Sequence, residues 1–69
     1  MNWKKKYTSP KSGNKVRVIN FSAQTTDAYK IGDILTLEDN CGYYERFNSI
    51  GWQVKETSVW IYEKEFELV

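Results

Sequence analysis

Residues able to do covalent chemistry are scarce in this sequence. Cys41, followed by Gly42, is its only thiol, and the chain holds no histidine to activate it. Histidine is the commonest general base and the commonest metal ligand, so both roles lose their usual carrier. A structural zinc site needs four Cys or His ligands, against one Cys here. A single Cys also closes no disulfide within the chain. No Gly-rich phosphate loop and no Arg-rich cluster stands ready for nucleotide chemistry. The inventory predicts a protein that is not an enzyme and takes no metal or cofactor.

Two groups of residues carry binding chemistry instead. Lys4, Lys5 and Lys6 stand between Trp3 and Tyr7, with Lys11, Lys15 and Arg17 downstream. Cations interleaved with rings contact phosphates and stack on bases, which makes Trp3, Lys4, Lys5, Lys6, Tyr7, Lys15 and Arg17 the candidate nucleic-acid surface. The second group is aromatic. Aromatics are 16% of the chain, more than one small core can hide. Tyr43, Tyr44, Trp60 and Tyr62 fall in strand-like segments whose opposite faces already supply core residues. Exposed Trp and Tyr are enriched at binding hot spots, so Tyr44, Trp60, Tyr62 and the neighbouring Trp52 are the candidate protein-binding residues. The alternative is rings that cap an open end of the fold with their polar tips in water.

Charge is balanced overall and lopsided locally. The net charge is +1, yet residues 1–30 hold seven cations against Asp27, and residues 31–69 hold eight carboxylates against three cations. Such a division supplies either a basic face for an anion or two halves that neutralise each other across a sheet. A pI of 7.8 falls short of the basic footprint of a dedicated nucleic-acid binder.

These residues must be positioned by a very small fold. A chain of 69 residues has room for one domain. A domain of that size buries only about 60% of its unfolded surface, so each core side chain must be large. No apolar run approaches the ~18–20 residues that span a bilayer. The start, Met1-Asn2-Trp3-Lys4-Lys5-Lys6, lacks the apolar stretch of a secretory signal, and the expected location is cytoplasmic, away from membranes.

The segment to Asn14 is polar and basic and ends in the turn cluster Ser9-Pro10-Lys11-Ser12-Gly13-Asn14, so residues 1–14 are expected to form an arm or a first edge segment. From Lys15 the pattern is of short strands. Lys15–Phe21 places Val16 and Val18 on one face, then shifts phase to Ile19 and Phe21, a sign of a bulge or of cover on both sides. Gly32-Asp33 marks a tight reversal. Ile34–Glu38 is the clearest strand, Asp39–Gly42 reads as a hairpin loop, and Tyr43–Phe47 alternates again. Asn48–Gly51 breaks it, Trp52–Glu56 and Val59–Tyr62 follow, and Glu63–Phe66 has the look of one helical turn before Glu67–Val69. No amphipathic helix and no internal repeat is visible. The expected class is all-β, a small barrel of five or six short antiparallel strands with one 3₁₀ turn near the C-terminus.

Tyr29-Lys30-Ile31-Gly32-Asp33-Ile34-Leu35-Thr36-Leu37 resembles the diverging turn and following strand of SH3-like barrels. The tail from Val59 to Val69 is similar to their last two strands and the 3₁₀ turn between them, and Trp52 stands where such barrels often carry an aromatic. The resemblance covers residues 15–69 and implies a core of Val16, Val18, Leu35, Leu37, Val54, Ile61 and Phe66. It implies no grip on proline-rich peptides, because Ser22–Thr26 offers neither the tyrosines nor the acidic cluster of that groove. In size and texture the chain also resembles small proteins of bacteriophages and mobile elements. The expected function is a non-enzymatic protein–protein module, such as a phage or mobile-element modulator that inhibits a host protein. The alternatives are nucleic-acid binding through the basic half, and a homo-oligomeric structural or virion component joined through sheet edges.

Overall fold

The structure, a computed structural model, describes residues 9–69. It is all-β. Five antiparallel strands form one sheet: β1 (Lys15–Val18), β2 (Ile34–Tyr44), β3 (Ser49–Val54), β4 (Ile61–Tyr62) and β5 (Phe66–Leu68). A single 3₁₀ turn, Glu63–Glu65, joins β4 to β5. The sheet order is β4-β3-β2-β1-β5, so that one turn links the two outermost strands.

Alternation decides which side each strand buries. On β1, Val16 and Val18 point inward while Lys15 and Arg17 face out. Leu35 and Leu37 of β2, Val54 of β3, Ile61 of β4 and Phe66 of β5 complete the core with Tyr29 and Trp52. All seven aliphatic and Phe positions expected from the sequence are buried. The phase shift after Val18 has a simple cause. The strand ends there, and Ile19 leaves the ladder to donate its N–H to the Glu65 carbonyl at 2.8 Å.

The expected hairpin loop at Asp39–Gly42 is corrected by the structure. β2 runs unbroken through it for 11 residues, and the register shift between Leu37 and Cys41 absorbs the extra residues as a bulge. The Asn40 amide donates to the Gln53 side chain at 2.7 Å and ties the irregular stretch to β3. The reversal lies instead at Glu45–Asn48, where the Phe47 and Asn48 N–H groups reach back to Tyr44 and Glu45 and Asn48 takes φ 52°. Asn tolerates that left-handed conformation better than most residues. Tyr43–Phe47 is therefore the end of β2 and the start of a turn. Likewise Ser49–Gly51, expected as a break, opens β3.

Between β1 and β2 the chain makes a long excursion, fastened at its base by one carboxylate. Glu65 is fully buried. One of its oxygens accepts the N–H groups of Ala23 and Gln24 at 3.1 and 3.0 Å, and the other accepts that of Tyr62 at 3.3 Å. Its backbone carbonyl takes the Ile19 N–H. No cation pairs with it among the described residues; backbone N–H groups satisfy its oxygens.

Opposite charges of the two halves meet on the outer face. Arg17 of β1 pairs with Glu67 of β5 at 2.8 Å, directly across the ladder. Lys15 donates to the Thr36 hydroxyl at 3.2 Å, and Glu56 accepts both the N–H and the hydroxyl of Thr36. Burial opposes ionisation of Glu56, but the Thr36 donors and nearby Lys15 outweigh it and hold the carboxyl below its ordinary value.

Candidate aromatic binding site

The site forms where β2 ends, β3 begins and β4 lies alongside. Tyr62 of β4 stands opposite Gly51 of β3, which in turn stands opposite Gly42 of β2. With no side chain at Gly51, the Tyr62 ring takes the space a Cβ would occupy there. A Cβ placed there would come within 2.6 Å of the ring. Phe47, from the turn, tilts onto Tyr62 with ring centroids 4.6 Å apart. Tyr44 stands edge-on to both Tyr62 and Trp60, each at 5.8 Å. Edge-to-face pairs of this kind add about 0.5–1.5 kcal/mol each beyond the area they bury. Arg46 sits 5.5 Å from the Phe47 ring centroid.

Burial sorts the four expected residues into two roles. Tyr44 is 39% exposed, and Trp60 is half-buried. Tyr62 and Trp52 are both buried. Trp52 belongs to the core and donates its indole N–H to Glu63 at 2.8 Å. Burial, with the Tyr44 and Glu65 groups nearby, pushes the Tyr62 phenol above its ordinary pKa against the opposing effect of Arg46. The structure thus brings Tyr44, Trp60 and Tyr62 together in one cluster and leaves Trp52 outside its exposed surface.

Trp60 is held by its backbone. Its carbonyl accepts the Gln24 amide at 2.7 Å and the Tyr29 hydroxyl at 3.2 Å. Gln24 also donates to Tyr29 at 2.8 Å, closing a small network under the ring. Burial, the largest influence, pushes the Tyr29 phenol up to about 12 despite the Gln24 hydrogen bond. Residues the sequence did not single out, Phe47, Gly51, Gln24 and Glu65, therefore do much of the positioning. In the sequence Gly51 reads only as the end of the Asn48–Gly51 break, and nothing in that run marks it as the seat of a ring.

The two glycines of the cross-strand row should respond oppositely to the same change. Gly51→Ala must push the Tyr62 ring off β3, and Phe47 and Tyr44 hem that ring in. The expected cost is about 1–3 kcal/mol, with loss of the near-ultraviolet circular dichroism of the cluster. Gly42→Ala adds a methyl that meets nothing within 4 Å and should leave the melting curve almost unchanged. Equal melting curves for the two variants would refute this packing.

The basic candidates are differently placed. Trp3, Lys4, Lys5, Lys6 and Tyr7 lie outside the described residues. Lys15 and Arg17 lie on the exposed side of β1, engaged with Thr36 and Glu67 as above. An open groove of about 540 Å³, which the sequence did not suggest, runs between Thr25–Asp27 and the Phe21, Tyr29 and Ile31 side chains. Cys41 is exposed. Among the described residues no cluster of His, Cys, Asp and Glu could hold a metal, and no helix is long and apolar enough to cross a membrane. In comparisons with known proteins, no family model, no curated protein and no solved structure matches the chain.

Proposed function

We propose that this chain is a non-enzymatic binding module, a small SH3-like barrel that docks on a partner protein through Tyr44 and Trp60. Tyr62, itself packed against Phe47, holds Tyr44 edge-on, while Trp52 belongs to the core. The observation that carries this reading is the cluster itself. The core is complete without Tyr44 and Trp60, yet both are locked in a four-ring arrangement at one end of the sheet while keeping exposed surface. Rigid aromatic anchors lose little conformational entropy on association, which is why they dominate interface energetics. The mode of action that fits is occupation of a partner's surface, as an inhibitor or modulator, with no reaction of its own.

The nucleic-acid alternative draws on the basic half, but Arg17 is paired with Glu67 and Lys15 lies beside Glu56. Fluorescence anisotropy of a labelled single-stranded oligonucleotide, titrated with the full chain at low and moderate salt, separates the two readings. The expected result is a flat titration through the low-micromolar range. Micromolar binding that falls steeply with salt would make the lysine-rich start the working surface and overturn the proposal.

A further inference from the structure

β2 outruns the strand beside it. β1 covers only Ile34, Leu35 and Thr36 in register, and the turn before it extends that cover by one residue, with Gly13 and Asn14 hydrogen-bonded to Leu37. There the chain folds away. The Asn14 N–H bonds back to the Lys11 carbonyl, and the Ser12 hydroxyl closes on the Asp39 carboxylate at 2.6 Å. From Asn40 to Tyr44, β2 therefore has β3 on one side and, among the described residues, no strand on the other.

An unpaired row of N–H and C=O groups is a template for a further strand, and proteins commonly blunt it with Lys, Pro or inward-pointing charge. Asn40-Cys41-Gly42-Tyr43-Tyr44 contains none of these. The bulge lies at its beginning and leaves Cys41–Tyr44 in regular register with β3. Cys41, Tyr43 and Tyr44 are exposed along it.

We propose that this edge pairs antiparallel with the same edge of a second copy, about a two-fold axis at Cys41. A second copy is the occupant that symmetry supplies without further conditions, because an antiparallel strand pair about a two-fold is self-complementary. Charge selects the register. An axis at Gly42 sets Asp39 directly opposite Glu45 of the other copy, and like charges so placed are destabilising. An axis at Tyr43 runs the pairing past the end of the strand into the Glu45–Asn48 turn. The axis at Cys41 keeps the pairing within β2, sets Asn40 opposite Gly42 on the free edge with Tyr43 reaching toward Asp39 at its border, and creates no like-charge pair. It also places the two Cys41 residues face to face.

One strand pair is a small interface, so the dissociation constant should fall at about 10–100 µM. Sedimentation equilibrium of the full chain under reducing conditions tests the association. The mass should rise from 8.2 kDa toward twice that value as concentration passes through this range. Mild oxidation should give a Cys41-linked dimer in native buffer and little of it in urea. Cys41→Lys, at an exposed position with no side-chain hydrogen bond, sets two lysines face to face on the axis and should sediment as a monomer, with its far-ultraviolet circular dichroism unchanged. A parent chain that stays monomeric to about 0.5 mM would overturn the proposal. So would a dimer that survives Cys41→Lys, or crosslinking of the parent that is equally fast in urea.

Discussion

Glu65→Ala should unfold this domain more readily than any other exchange of a charged residue in it. The carboxylate is fully buried and receives three backbone N–H groups from two separate stretches, residues 23–24 and 62. Alanine leaves those donors facing a void, and each unsatisfied buried donor costs about 1–3 kcal/mol. Even at the low end the sum is about 3 kcal/mol, from a total stability of about 5–15 kcal/mol for a domain of ordinary stability. The melting temperature should fall by about 10–20 °C. Glu65→Gln keeps the shape and an oxygen for Ala23 and Gln24 but turns an amide N–H toward the Tyr62 N–H or its neighbours, so it should fall between parent and alanine. Ile61→Ala, at a position with no exposure, provides the apolar yardstick of about 2–5 kcal/mol. Ile31→Ala, at 61% exposure, provides the near-silent control. A Glu65→Ala protein that melts with the Ile31→Ala control would remove the carboxylate from the account of this fold.

That residue also marks the limit of what the sequence makes legible. The inward faces were readable because alternation is local. Val16 with Val18, and Leu35 with Leu37, declare a buried side within a few residues, and the single turn before β5 is visible in its own run. Glu65 declares nothing, because its three partners are backbone groups, two of them 41 and 42 residues away, and carry no side-chain signature. Asp39–Gly42 misleads for a related reason. Asp, Asn and Gly favour turns in isolation, but pairing of Cys41–Tyr44 with Ser49–Trp52 and the Asn40–Gln53 bond keep the chain extended. The division of charge was legible as a composition, and its resolution across the sheet by Arg17 and Glu67 needed the strand order.

The aromatic site was half legible. Tyr44, Trp60 and Tyr62 were named together and lie together. Their division into exposed anchors and buried supports depended on Gly51, whose missing side chain lets Tyr62 sink onto β3. The clamp on Trp60 depended on Gln24 and Tyr29, from the long excursion after β1.

The second large effect expected is on binding. Tyr44→Ala with Trp60→Ala removes the exposed Tyr44 ring and the half-buried Trp60 ring while leaving the buried core, Tyr62 and the Trp60 backbone clamp in place. Each ring, as a central anchor, is worth about 2 kcal/mol or more to an interface, about 30-fold in affinity. The variant should therefore lose its partner while melting cooperatively. Affinity capture from a bacterial lysate, with parent and variant immobilised side by side and retained proteins quantified by mass spectrometry, tests this most directly. The account predicts at least one protein held by the parent and depleted more than about 10-fold on the variant. The same retained proteins in the same amounts on both surfaces would contradict it.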